Sequence, residues 1–233
     1  MTYTIIARCP RTGQLGIGIA TYSLAVGGYC PFIKPGVAAV SSQASANPAL
    51  GSKALKLLEE GLPPDQVLAR LRDGDRYFDF RQVGIVTAGG VVSVHSGSRT
   101  RPWSGHASGD GFVAMGNWLT GECVAQAMAK AFQDGGETLH ERLLRAIEAG
   151  RDAGGQVNPQ GEHLMERSAA LVVYENNPYP MLDLRVDAHD TAVQELRRIH
   201  TLYAPYIEYY RLRAATPEGL PPQDEWARRQ ATR

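Results

Sequence analysis

The chain opens with Thr2-Tyr3-Thr4-Ile5-Ile6-Ala7 and continues, after a Thr12-Gly13 turn, with Leu15-Gly16-Ile17-Gly18-Ile19-Ala20-Thr21. Both stretches are rich in β-branched residues, and the turn between them favours an antiparallel hairpin. The glycines of the second stretch clear one face of its strand, so that another backbone or a ligand can approach closely. Once Met1 is removed, Thr2 carries a hydroxyl nucleophile together with a free amine that can act as its base.

The composition is that of an ordinary globular protein. Of the 233 residues, 43% are hydrophobic and 21% are charged. Lys plus Arg and Asp plus Glu number 24 each, so no basic field would recruit nucleic acid or an anionic membrane. The sequence shows no signal peptide and no run of roughly 20 apolar residues that could cross a bilayer. We therefore expect a cytoplasmic protein with neither a nucleic-acid nor a membrane partner.

The three cysteines, Cys9, Cys30 and Cys123, are an odd number without CxxC spacing. Neither a disulfide framework nor a zinc site is indicated by such a pattern. The sequence contains no cofactor signature, and we expect neither a cofactor nor a metal.

The rest of the chain alternates groups of strands with pairs of helices. In the first half, the patterns predict a strand at Gly36 to Ser42, helices through Leu50 to Leu58 and Val67 to Leu71, strands at Arg81 to Thr87 and Val91 to Ser96, and a Gly-rich segment from Gly97 to Gly111 with loops or short edge strands. A strand at Phe112 to Met115 follows, then a helix at Glu122 to Phe132 and a second helix after the capping box Thr138-x-x-Glu141. The patterns end with strands at Ser168 to Tyr174 and Met181 to Val186 and a last helix from Asp190 or Thr191. This order favours an α+β fold in which two antiparallel sheets lie between helical layers.

We expect one domain over residues 1–213, followed by a C-terminal extension over residues 214–233. Aromatic residues are frequent at this end of the chain, where they either pack on their own sheet or provide a surface for self-association as a homo-oligomer. These residues are Tyr203, Tyr206, Tyr209, Tyr210 and Trp226.

Several stretches together resemble one known family, the DUF1028 group of bacterial proteins assigned to the N-terminal nucleophile (Ntn) hydrolase superfamily. They cover about residues 2 to 203 in the order of the family: Thr2 to Ala7, Thr12 to Gly16, Ala25 to Gly27, Gly36-Val37, Gln43-Ala44, Asn47-Pro48, Arg81 to Gly84, Trp103 to His106, Gly116-Asn117, Glu141 to Leu144, Ser168 to Leu171 and Asp183 to Asp187. The resemblance implies a four-layer αββα fold and a similarity to proteasome-like and amidase-like enzymes that hydrolyse amide bonds. No substrate is implied by it.

The chain departs from the pattern of this family at four places. The family usually shows Ser where Thr4 stands, Gln where Met115 stands, Asp where Gln156 stands and Gly-Gln where Glu166-Arg167 stand. The loss of polar groups at Met115 and Gln156 implies either a changed specificity or a weakened site.

Thr2 is the candidate nucleophile, because an α-amine with an ordinary pKa of about 7.7–8.0 can accept the proton of its own hydroxyl. Gln43, Asn47 and Asn117 are candidates for orienting substrate or for stabilising an oxyanion together with backbone amides. Each of them also fits turn or cap chemistry, and Asn47 in particular fits an N-cap with Pro48 as the first helical residue.

Two other residue types add weaker candidates. His106 fits an acid or base catalyst or a ligand, although no HxH or HxxxH spacing accompanies it. Arg81 or Arg101 fits a partner for a substrate carboxylate. A serine hydrolase is not favoured, because no GxSxG motif surrounds Ser23 or Ser42.

Two functions therefore remain open. The first is an Ntn-type hydrolase of a small peptide-like or cyclic amide, with Thr2 as nucleophile. The second is a non-catalytic binding or assembly module that retains the sandwich fold, and it predicts that side chains fill the space next to Thr2.

Overall fold

The computed structural model describes residues 1–136 and 138–231. The strands are β1 Thr2–Arg8, β2 Leu15–Thr21, β3 Pro31–Lys34, β4 Ala38–Ala44, β5 Arg81–Thr87, β6 Val92–Ser96, β7 Gly105–Gly109, β8 Phe112–Asn117, β9 Gln156–Val157, β10 His163–Leu164, β11 Ser168–Tyr174 and β12 Leu182–Val186. The α-helices are α1 Pro48–Glu59, α2 Pro64–Gly74, α3 Glu122–Asp134, α4 Leu139–Asp152, α5 Ala192–Tyr203, α6 Ile207–Ala215 and α7 Gln223–Ala231.

Two antiparallel sheets form the centre of the molecule. The larger sheet has the strand order β12-β11-β2-β1-β8-β7, and the smaller sheet has the order β3-β4-β5-β6. Successive side chains of a strand point to opposite faces of its sheet. On β1, Tyr3 and Ile5 face the core under α3, α4 and α5, whereas Ile6 lies in the core between the two sheets. Strand β1 therefore contributes to two cores at once.

Helices cover the outer face of each sheet. Helices α1 and α2 pack on the smaller sheet through a core that includes Leu50, Val67 and Leu71. Helices α3, α4 and α5 pack on the larger sheet. The resulting order of layers is helix, sheet, sheet, helix, which confirms the predicted four-layer αββα sandwich.

Most predicted elements are present, but four local predictions need correction. The helix predicted to be the last one, α5, is followed by α6 and α7. The third strand lies at Ala38–Ala44 and not from Gly36, and the preceding β3 was missed because Pro31–Lys34 is too short to show a period. The capping box does not form: Thr138 makes no side-chain capping bond to the start of α4, its Oγ1 lies 3.4 Å from His140 Nδ1, and the Glu141 carboxylate binds Arg145 and Arg197. The predicted polar connection from Gly161 to Arg167 contains the short strand β10.

The open face of β2 is occupied by a helix. A Cβ atom at Gly16 would lie 2.5 Å from Leu143 Cδ1, and one at Gly18 would lie 3.0 Å from Ile147 Cγ1. Both contacts come from α4. The glycines that the sequence offered for a backbone or a ligand therefore serve the close packing of α4 on the sheet.

The C-terminal aromatic residues pack largely on one another. The rings of Tyr209 and Trp226 pack with their centres 5.4 Å apart and their planes tilted by 54°, and Trp226 Nε1 donates to the Pro205 carbonyl oxygen at 3.1 Å. These contacts hold α7 against the chain that precedes it. Helix α6 runs through the expected boundary at residue 213, and the division into a domain and an extension stays a prediction. Within the described ranges, no helix is long and apolar enough to span a bilayer.

Charged and histidine side chains join α4 to α5. Arg197 donates to both Glu141 and Glu148, and His140 Nδ1 lies 2.8 Å from His200 Nε2. Burial lowers the pKa of His140 to about 4, and the neighbouring His200 adds to this shift. Burial also lowers the pKa of His200, although Glu141 opposes that change. The pair is therefore neutral in the folded protein at neutral pH.

We expect Gly16→Ala to lower the free energy of unfolding by about 1–3 kcal/mol, because the added methyl group overpacks the contact with α4. Urea denaturation measures the effect. The control is Gly89→Ala in the turn between β5 and β6, where the nearest atom would be Thr87 Oγ1 at 3.7 Å, with an expected change within about 0.5 kcal/mol. Equal effects of the two substitutions would contradict this packing.

The histidine pair predicts a stability that depends on pH. Between the folded pKa of His140, about 4, and its ordinary value of 6.5, the unfolded chain binds more protons than the folded one. Stability therefore rises with pH across this window and falls on acidification. After allowance for solvent screening, we expect a contribution of about 1–2 kcal/mol. His140→Gln should flatten the curve of unfolding free energy against pH between 4 and 6.5, whereas the same change at the exposed His106 should not. An unaltered slope in His140→Gln would refute the assignment.

Candidate active site

Thr2 begins a strand in the interior of the larger sheet. It lies directly opposite Asn117 of β8, and its side chain is 6% exposed. Thr2 Oγ1 lies 3.2 Å from Thr21 Oγ1 at the end of β2. By the alternation along β1, the Thr2 side chain shares the face of Thr4 and Ile6, which is the face toward the smaller sheet. A hydroxyl pair thus lies at one end of the space between the sheets.

Met1 is held by these hydroxyl groups. Its carbonyl oxygen accepts hydrogen bonds from Thr2 Oγ1, at 2.5 Å, and from Thr21 Oγ1. Burial lowers the pKa of the Met1 α-amine to about 6, although the neighbouring Cys30 opposes the shift. Burial raises the pKa of the Cys30 thiol to about 12, so the thiol is protonated. An amine at this end of β1 is therefore largely neutral at neutral pH.

Two clefts flank Met1, and they meet at Met1, Ala44 and Ser45. The apolar cleft has a volume of about 470 Å³ and is lined, besides those three, by Thr2, Thr21, Ser23, Leu24, Val26, Tyr29, Cys30, Ala46 and Arg81. The arginine cleft has a volume of about 330 Å³ and is lined, besides the shared three, by Phe80, Arg99, Thr100, Arg101, Asn117 and Trp118. Thr2 therefore lines the apolar cleft, one residue from Met1, where the two clefts meet.

Backbone strain borders both clefts. Among the described residues, the non-glycine positions with positive φ are Ala25 at 56°, Ala44 at 71° and Trp118 at 59°. Ala44 and Trp118 line the clefts, and Ala25 lies between the lining residues Leu24 and Val26. A left-handed conformation costs a residue with a Cβ atom of order 1 kcal/mol or more, and such strain concentrates at functional sites.

A network of buried amides lies behind Thr2. Thr4 Oγ1 donates to Gln43 Oε1 at 2.5 Å, and Gln43 Nε2 donates to Gln82 Oε1 at 2.9 Å. Asn117 Nδ2 donates to the same oxygen at 3.1 Å. All four side chains are at most 1% exposed. Because these residues come from β1, β4, β5 and β8, the network joins the two sheets at the end where the clefts open.

The orientation of Asn117 follows from this network. Gln82 Nε2 donates to the carbonyl oxygens of Gly116 and Gly105, at 2.8 and 3.2 Å, so Gln82 Oε1 must face the other way. Asn117 must then present its Nδ2 donor to Gln82. Its Oδ1 is buried and has no hydrogen-bond donor among the described residues. Because a buried acceptor without a partner costs about 1–3 kcal/mol, this oxygen is a candidate contact for a ligand.

The sequence-predicted candidates have different surroundings in the structure. Asn117 lines the arginine cleft, and Arg81 lines the apolar cleft with its Nε bonded to Asp75 at 3.0 Å. Gln43 lies within the buried network. Asn47 Oδ1 accepts from the Ala49 amide at 3.2 Å, which confirms the alternative role of Asn47 as N-cap of α1. His106 is exposed on the edge strand β7 and lines neither cleft.

Three residues of the site were not among the sequence candidates. Thr21 could have been found from the hairpin, because pairing of Tyr3 with Ala20 places hydroxyl residues at the same end of both strands. Gln82 and Arg99 carry no comparable signal. Gln82 follows Arg81 at the start of β5 and belongs to no catalytic motif, and Arg99 belongs to a segment without periodicity.

Met115 and Gln156 replace polar residues that are usual in the resembling family. Met115 is buried between the sheets, where its sulfur packs against Gly84. Gln156 accepts from the Tyr22 amide at 3.1 Å and donates to the buried Glu166 at 3.4 Å. Neither residue lines a cleft at Thr2. The two departures therefore lie outside the linings of both clefts.

Two antiparallel sheets between helical layers define a four-layer αββα sandwich, and Thr2 stands at the start of one of its inner strands. The chain belongs to DUF1028, described as a family of unknown function, whose model matches residues 2–196.

A solved structure from the same family supports the fold. A DUF1028 protein from Silicibacter pomeroyi is 28% identical and superposes with a TM-score of 0.79 over 87% of this chain and 89% of that chain. HslV from Trypanosoma brucei is 13% identical, with a TM-score of 0.46 over 74% and 99% of the two chains. Anbu from Yersinia bercovieri is 12% identical, with a TM-score of 0.40 over 87% and 96%. Among curated proteins, none matches the chain.

We expect Gln82→Leu to lower the free energy of unfolding by about 2–4 kcal/mol, because it leaves the amides of Gln43 and Asn117 and the Gly116 carbonyl without their partner. Thermal and urea unfolding measure the loss. Gln126→Leu on α3, whose amide bonds only to the neighbouring Glu122, is the matched control and should change stability by less than about 0.5 kcal/mol. A Gln82→Leu protein as stable as the control would show that the network contributes little.

Proposed function

We propose that this protein is an N-terminal nucleophile hydrolase that cleaves an amide bond in a small peptide-like or cyclic amide, with Thr2 as the nucleophile after removal of Met1. One observation carries the proposal: Thr2 lies at the start of an inner strand and lines an open cleft of about 470 Å³, next to Met1, which this cleft shares with the second one. The fold and the membership in DUF1028 are consistent with it.

The chemistry follows from the two groups of one residue. The free α-amine of Thr2 accepts the proton of Oγ1, and Oγ1 attacks the carbonyl carbon of the substrate. The C–N bond then breaks, the protonated amine delivers its proton to the leaving nitrogen, and the acyl group remains on Oγ1 as an ester. Water, activated by the same amine, hydrolyses the ester and restores the hydroxyl.

The surroundings of residue 1 support this mechanism. The Met1 carbonyl oxygen accepts from Thr21 Oγ1 in the structure, and a substrate carbonyl in its place would receive the same hydrogen bond. Hydroxyl donors aimed at a developing oxyanion stabilise the transition state. Burial lowers the pKa of the Met1 amine, and we expect the same direction for a Thr2 amine one residue further along the buried strand.

The alternative is a non-catalytic binding or assembly module with the same sandwich. That alternative predicts side chains filling the space next to Thr2, whereas a cleft of about 470 Å³ opens at Thr2, and a second cleft of about 330 Å³, lined by Asn117, opens at the neighbouring Met1. The open clefts favour the hydrolase. A homo-oligomer and the absence of a nucleic-acid partner stay predictions under both proposals.

The first test is the mass of the purified protein. We expect a mass lower than that of the full sequence by one methionine residue, because the small Thr2 side chain permits removal of Met1. Retention of Met1 in an active protein would contradict the mechanism, since the α-amine would then belong to the wrong residue.

The second test is substitution of the nucleophile. We expect Thr2→Ala to reduce amide hydrolysis by at least about 10³-fold, because no other group supplies the attacking oxygen. Thr2→Ser should retain turnover, and Thr12→Ala in the exposed turn should be unaffected. For active protein, kcat/KM should rise with pH as the Thr2 amine loses its proton, with an apparent pKa below the ordinary 7.7–8.0. Full turnover by folded Thr2→Ala would exclude Thr2.

A further inference from the structure

The two clefts differ in charge. In the apolar cleft, the positive charge of Arg81 is matched by Asp75 at 3.0 Å, and the side chains of both residues are mostly buried. Leu24 and Tyr29 stand at this cleft with 51% of their surfaces exposed, although both are large and hydrophobic. The apolar cleft therefore offers a neutral surface that suits an apolar group of a ligand.

The arginine cleft is cationic. Neither Arg99 nor Arg101 forms an ion pair with any residue in the described part of the chain, and this includes the carboxylate of the neighbouring Asp79. The Arg99 guanidinium lies 4.4 Å from the ring centre of Phe80, and the Arg101 guanidinium lies 4.8 Å from that of Trp118. Stacking on a ring fixes the plane of a guanidinium group while leaving its N–H edge available.

The loop that carries both arginines is anchored to both sheets. The Gly97 amide donates to the Arg81 carbonyl of β5 at 2.9 Å, and the Trp118 amide donates to the Arg101 carbonyl at 3.1 Å. Thr100 Oγ1 donates to the Gly97 carbonyl at 2.7 Å within the loop. The backbone that carries the two exposed arginine side chains is thus anchored in the wall of the cleft, and an anion that binds them need not order the loop.

Asn117 indicates how the amide group of a substrate is oriented between the two clefts. Its buried Oδ1 has no donor among the described residues, and Asn117 lines the arginine cleft next to Met1. An acceptor at this point suits the N–H of the amide that Thr2 attacks. The nitrogen side of that amide then lies in the arginine cleft, and the acyl side lies in the apolar cleft.

From these features, and resting on the proposed hydrolase, we propose that the substrate is an N-acyl amino acid. Its carboxylate binds Arg99 and Arg101, its amide N–H donates to Asn117 Oδ1, and its apolar acyl chain lies against Leu24 and Tyr29. Hydrolysis at Thr2 transfers the acyl group from nitrogen to Oγ1 and then to water. The products are a free carboxylic acid and an amino acid that carries the proton on its released amine.

The test compares two probes that differ only in charge, N-hexanoylglycine and the neutral N-hexanoylglycinamide. Binding is measured by calorimetry with Thr2→Ala, which keeps both clefts and lacks the nucleophile. We expect the carboxylate probe to bind at least about tenfold more tightly than the neutral one, as a charge-assisted Arg–carboxylate bond allows. Arg99→Gln and Arg101→Gln, each in the Thr2→Ala protein, should each weaken binding of the carboxylate probe by about 10- to 100-fold.

Arg70→Gln on the exposed face of α2 is the matched control and should leave the affinity unchanged. Equal binding of the two probes, no binding of the carboxylate probe at millimolar concentration, or equal losses in Arg70→Gln and Arg101→Gln would overturn the assignment of substrate class. Turnover of the same probes by the protein with an intact Thr2 is scored separately. Charge-selective binding without release of glycine would refute the hydrolase and leave the cationic carboxylate site, whereas equal turnover of both probes would refute the substrate class alone.

Discussion

The antiparallel pairing of β1 between β2 and β8 is the constraint on which the rest of the structure depends. Its register places Thr2 opposite Asn117 and beside Thr21, so three polar side chains converge at one end of the larger sheet. The alternation along the same strand buries Tyr3 and Ile5 under helices and Ile6 between the sheets. A slip of one residue would exchange these faces, and both cores oppose it.

Burial of a polar network between two sheets is costly unless each group finds a partner. Both ends of the Gln82 side-chain amide meet this requirement. Its nitrogen donates to two carbonyl oxygens, and its oxygen accepts from Gln43 and Asn117. The network therefore joins the sheets and orients Asn117 at once. Only the Asn117 Oδ1 atom is left without a donor in this group of described side chains, at the wall of a cleft.

The difference between the two clefts has a simple electrostatic origin. Arg81 has a carboxylate partner in Asp75, whereas Arg99 and Arg101 stack on aromatic rings and keep their hydrogen-bonding edges for other groups. A short loop anchored to both sheets therefore gives the surface next to Thr2 a positive side and a neutral side. Charge distribution, more than cleft volume, distinguishes the ligands that such a site accepts.

The sequence by itself determined those strands and helices whose formation depends on residues close together in the chain. Alternating β-branched residues predicted β1 and β2, Asn47 followed by Pro48 predicted the start of α1, and the grouping of strands and helix pairs predicted the layers. Thr2 was predicted as a candidate from its position in the chain alone. Short-range patterns suffice here because strand periodicity and capping each involve residues a few positions apart.

Only the tertiary structure decided what surrounds Thr2. Gln82, Arg99 and Asn117 are separated from Thr2 by some 80 to 115 residues of sequence, and no local pattern records which of them meet. The same limit applies to Gly16 and Gly18, whose open face was filled by α4. Strand pairing and helix packing bring distant residues into contact through burial and register, so the clefts and their charges are properties of the assembled sheets and not of any one segment.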